Sequence, residues 1–248
     1  MSRRLRRLTA LAALLLALTA APALAQSVTL DLGEGGSSTG RIVQMLVLLT
    51  VLSLAPAILV TVTSFTRIIV VLSFLRNALG VQQTPPNIVL ISLALFLTGF
   101  VMAPTLEKSY NDGIAPLIAE KISETEAFTL AGAPLHDFMS AHVRKQDLQL
   151  FAGIAKLDVV AEVKDMPFRV LVPAFMISEL RRAFEIGFLL FLPFLVIDLV
   201  VSSVLMSMGM MMLPSAMVSL PFKIVFFVLI DGWYLVAGSL VQSFNGAG

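Results

Sequence analysis

From Ile42 to Thr66 the chain runs through 25 residues without a single charge. An α-helix of about 20 apolar residues crosses the hydrocarbon layer of a bilayer, so this run is long enough to span. Three more apolar runs follow: Ile88–Ala103, Ile186–Met206 and Ile224–Phe244. Composition agrees with their weight, since 58% of the 248 residues are hydrophobic and only 13% are charged. That charged share is roughly half of what soluble domains carry, which places the chain in the membrane class.

The order of the runs suggests an all-α, membrane-associated chain of two kinked helical hairpins separated by a small helical extramembrane domain. Residues 1–25 read as a cleavable signal peptide. A basic head with Arg3, Arg4, Arg6 and Arg7 precedes a short apolar stretch, which ends in the A-x-A pattern Ala23-Leu24-Ala25. Residues 26–41 are Gly/Ser-rich and read as a flexible leader. The first hairpin is expected over 42–104, with Pro56 kinking its first arm, Gly80 stopping a helix, Pro85-Pro86 turning the chain and Pro104 closing the second arm. Residues 105–182 hold most of the charge. Their apolar positions, among them Phe138, Met139, Val143, Leu148, Phe151 and Ile154, recur at helical spacing. This segment is expected to lie outside the cytoplasm. The second hairpin is expected over 183–248, with a Met-rich turn that continues through "PSAMVSLPFK".

Several function classes find no support. There is no cysteine, and hence no disulfide framework and no thiolate metal site. Without the four N-terminal arginines the count is 13 basic against 16 acidic residues, with no basic patch for nucleic acid. No G-x-x-x-x-G-K-[ST] or H-E-x-x-H motif occurs, and nothing points to an enzyme or a cofactor. His136 and His142 read as surface or packing histidines.

The charges inside the apolar runs carry more information. A carboxylate at bilayer depth costs on the order of 3 kcal/mol, so Asp198 and Asp231 must face protein or water. Three explanations fit: they pair with Arg67, Arg76 or Lys223 within the chain or between chains, the runs are buried against other protein chains rather than in hydrocarbon, or they are proton-relay groups of a small-solute transporter. Arg67, Arg76 and Lys223 are expected at the inner turns. In "SELRRAFEIG", helical spacing pairs Glu179 with Arg182 and Arg181 with Glu185, at a solvated helix start or at a contact between subunits.

"MSMGMMMLP", Met206–Pro214, has five methionines among its nine residues. Three uses fit the residue type: adaptable apolar filler, a Cu(I) site on the M-x-M-x-M spacing of a copper transporter, or a deformable seal. For the seal, Gly209 supplies flexibility and Pro214 a stop, so that Met210, Met211 and Met212 project around a turn. Copies of the chain around one axis would repeat that turn as a ring.

Taken together, "FTRI", "QTPPN", "SELRRAFEIGF", "GMMMLP" and "DGW", in that order, resemble the FliP family, the P subunits of the flagellar type III protein export gate. The resemblance covers roughly residues 42–105 and 170–244. It implies a homo-oligomer, a pentamer in the family, assembled with FliQ and FliR and serving with FlhB and FlhA. It also implies a coiled, partly extramembrane cone in the bacterial inner membrane at the flagellar basal body, with a periplasmic portion and contact with membrane lipid. The conduit would pass unfolded rod, hook and filament proteins, driven by other components. By resemblance the triplet Met210, Met211 and Met212 forms a gasket in the channel, and Glu179 sits at a subunit contact.

Overall fold

A computed structural model describes residues 38–81, 83–157, 163–210 and 212–245. Among them there is no strand. The helices are α1 (Ser38–Val62), α2 (Phe65–Leu79), α3 (Asn87–Ser109), α4 (Ala115–Ile118), α5 (Glu124–His142), α6 (Lys145–Ile154), α7 (Phe168–Ser207), α8 (Ser215–Leu229) and α9 (Gly232–Asn245). A π-helical segment, Tyr110–Ile114, joins α3 to α4, and a 3-10 turn, Val163–Asp165, precedes α7. The chain divides into two units between Leu52 and Ser53, and everything below concerns the second unit. The signal peptide and most of the leader fall outside the described residues.

Among the described residues, two helices are long and apolar enough to cross a membrane: Asn87–Ile118, with mean hydropathy 2.2, and Phe168–Ser207, with mean hydropathy 2.5. Two further apolar stretches are broken. Pro56–Val62 meets α2 at 81°, and α8 meets α9 at 64°. The first break corrects the expected kink at Pro56, because α1 runs through that proline and ends six residues later. At the end the hydroxyls of Thr63 and Thr66 donate to the carbonyls of Leu59 (2.6 Å) and Val60 (2.8 Å). Carbonyls near a helix end run short of intrahelical donors, and these hydroxyls add donors there. Pro104 likewise does not close its helix, since α3 continues to Ser109. "PSAMVSLPFK" is not a turn either: α8 begins at Ser215 and carries Pro221 inside it.

The core forms where α2 crosses α7. Ile68, Val71, Leu72, Leu75 and Leu79 recur at three- and four-residue spacing, a stripe that faces one side of α2 and is buried. Ala183, Gly187 and Phe194 of α7 meet it. At Gly187 a Cβ would lie 2.6 Å from the ring of Phe74, so the crossing requires glycine there. α7 continues unbroken past residue 182, and the charged "SELRR" turn is part of this crossing rather than a helix start. A second cluster joins α5, α6 and the first part of α7 through Met139, Leu148, Ala152, Leu171 and Phe175. Ser123 caps α5 by accepting from the Glu126 N–H. Ile154, expected among the packing residues, is exposed.

Candidate functional site

The Met-rich turn begins with an ordered helix stop. Gly209 adopts φ +74°, the left-handed region where glycine has no steric cost. The Met210 N–H donates to Leu205 O, and the Gly209 N–H to Met206 O, each at 3.0 Å. This pair of bonds is a Schellman stop, which satisfies carbonyls that the end of α7 would otherwise leave open. Pro214 then precedes α8 and sends the chain back. Met206, Met208, Met210 and Met212 are all exposed, Met212 at 99%. Of these four, Met208 also borders the apolar cleft between the hairpin arms. Met211 lies outside the described residues.

About three helical turns from the Met turn, the two arms are locked together. Lys223 Nζ of α8 donates to Asp198 Oδ2 of α7 at 2.6 Å and to Ala78 O at 3.1 Å, at the end of α2. Ser219 Oγ donates to Asp198 Oδ1. Lys223 and Ser219 are buried, and the Asp198 side chain is 31% exposed. Among the alternatives open for Asp198, the fold selects pairing within the chain. Between the lock and the turn, the arms diverge around an apolar cleft of about 610 Å³, lined by Val200, Val204, Met208, Phe222 and Phe226 among others.

At the other end of the crossing lies a buried ion pair. Arg67 Nε donates to Glu179 Oε2 at 2.8 Å and Nη2 to Oε1, a two-point contact with 1% and 0% of the side chains exposed. Arg67 therefore sits in the first turn of α2 inside the protein, and Lys223 within α8; neither occupies an inner turn. The expected pairing of Glu179 with Arg182 is not formed, because Glu179 points into the crossing while Arg182 is half-buried with no carboxylate partner among the described residues. With both oxygens held by Arg67, Glu179 has no surface to offer another chain in this conformation. The Arg181–Glu185 pair is formed at 2.9 Å on the exposed face. Arg76 lies beside the proline turn, its Nη1 donating to Asn87 Oδ1. Asp231 is exposed at φ +50° on the α8–α9 bend, with no side-chain hydrogen bond or ion pair among the described residues.

Sequence spacing does not mark two buried serines, Ser219 in the Lys223–Asp198 lock and Ser178 next to Glu179. Ser178, fully buried beside Glu179, accepts from the Arg144 N–H at 3.0 Å and donates to Asp147 Oδ2 at 2.7 Å, so it fastens the start of α6. The only local signal for Ser219 is its place one helical turn before Lys223. His142, expected to be a packing residue, is buried between α5 and α9. Among the described residues, no group of three or more His, Cys, Asp or Glu side chains could hold a metal.

The FliP family matches residues 48–240, most of the chain. A flagellar biosynthetic protein FliP of Caulobacter vibrioides is 60% identical over 248 residues, covering 99% of this chain and 93% of that protein. The FliP of Bacillus subtilis is 58% identical over 211 residues, 85% of this chain and 94% of its own length. The FliP of Aquifex aeolicus is 50% identical over 220 residues, 88% and 91% of the two chains. With the family matched across both crossing helices and the methionine turn, and with relatives of this identity over nearly their whole length, the chain belongs to the FliP family.

Proposed function

We propose that this chain is a structural wall subunit of the flagellar type III export gate, and that its methionine turn seals the conduit between passages of unfolded rod, hook and filament proteins. It assembles with copies of itself and with FliQ and FliR, in the inner membrane at the basal body, and works alongside FlhB and FlhA. Residues 105–182 form the periplasmic portion. One observation carries the reading: four described methionines stand exposed on a capped turn at the tip of a hairpin whose arms are locked by Asp198, Ser219 and Lys223. Long unbranched thioethers deform around varied side chains and expose no strong donor to ions, which suits a gasket. Commitment of Asp198 to Lys223 speaks for a structural role over a proton-coupling one. Asp231, with no side-chain partner among the described residues, is a charge available for a contact between subunits.

The test is conductance. Replacing Met210, Met211 and Met212 together by Ala in the assembled complex should raise ion leakage across planar bilayers without reducing the mass of the complex. Leakage equal to that of the unaltered complex would end the seal reading.

A further inference from the structure

The last helix ends on two donors that come from distant parts of the chain. Arg67 Nη1, the one terminal nitrogen not used on Glu179, donates to Ser243 O at 3.2 Å and to Ser243 Oγ at 3.0 Å. The Arg67 guanidinium also lies 3.7 Å from the centre of the Phe244 ring. From α5, His142 places Nε2 3.2 Å from Phe244 O and Nδ1 2.8 Å from Phe138 O. Both of its neighbours are carbonyl oxygens, and a neutral imidazole has one N–H to offer them, which the tautomer protonated at Nε2 directs at Phe244 O. The Phe138, His142 and Phe244 rings pack together, with Phe138 and Phe244 stacked at 6.1 Å. The final carbonyls of a helix lack intrahelical donors and carry its partial negative charge, so donors at this end are well matched to it.

We propose that Arg67 and His142 form a two-donor clamp on the carboxyl end of α9, with His142 the positioning residue that ties the return arm of the methionine hairpin to α5. The clamp gives the hairpin a fixed base whatever its tip does. Arg67 is thereby shared between two tasks, the Glu179 pair and the α9 end, and only His142 serves the clamp alone. Hydrogen exchange on the full chain in detergent tests this. In His142→Leu, amides of residues 236–245 should exchange about tenfold faster, the effect of losing one hydrogen bond of ordinary net strength. Peptides from α2 and from residues 168–187 should keep their protection, which separates clamp loss from general unfolding. In His142→Gln, whose side-chain amide also offers an N–H donor, protection of residues 236–245 should return to the original level. Unchanged exchange in the Leu variant, or a Gln variant as unprotected as the Leu variant, would overturn the assignment.

Discussion

The surroundings of Glu179 on α7 and the methionine turn that follows α7 are built by opposite rules. Around Glu179 the polar groups are inside: an arginine, a carboxylate and a serine are buried and every carboxylate oxygen is matched. Around Met208 the apolar groups are outside, with thioethers and Leu213 exposed and none of the described residues covering them. A soluble protein reverses both choices. The difference teaches how one stretch of chain can be stiff and soft at once. Buried charges hold because each is paired in a fixed geometry, and removing either partner leaves an uncompensated charge. Exposed methionines hold nothing, so the tip can deform without disturbing the base.

Substitutions can break this contrast in order of expected size. Glu179→Ala leaves the Arg67 charge buried and should cost about 3–5 kcal/mol, read from denaturant unfolding in detergent. A loss below about 1 kcal/mol would mean that the pair is not buried as described. Asp198→Asn removes the charge partner of Lys223 at a half-exposed position and should cost less, about 1–2 kcal/mol by the same measurement. Gly209→Ala forces a Cβ into the left-handed region and should cost about 1 kcal/mol, seen as a lowered Tm. Met212→Ser should change stability by no more than about 0.5 kcal/mol, since the side chain touches little. If Met212→Ser proved as damaging as Asp198→Asn, the tip would not be mechanically separate from the base.

Much of the layout is legible along the chain. The three- and four-residue spacing from Ile68 to Leu79 marks the buried face of α2, and Gly80 ends that helix in the left-handed conformation, as its place after the stripe suggests. Gly209 and Pro214 bracket the turn in the same way. The bends were less legible. Proline is the usual sign of a break, yet α1 passes Pro56, α3 passes Pro104 and α8 passes Pro221, each of them on an exposed face of its helix. The breaks fall instead at Thr63-Ser64 and Ile230-Asp231, where hydroxyls and a left-handed residue take over the backbone.

Helices, their apolar faces and the glycine stops follow from neighbours within a few residues, and such short-range preferences can be read without knowing the fold. Which charge meets which cannot be read that way. Arg67 and Glu179 are 112 positions apart and Lys223 and Ala78 are 145 apart, and nothing local marks them as partners. Their pairing depends on the angle and register at which α2, α7 and α8 cross, set by contacts such as Gly187 against Phe74. Local spacing offered Arg182 to Glu179, and long-range packing chose Arg67, because only in the buried crossing do two hydrogen bonds and exclusion of water act on the pair together.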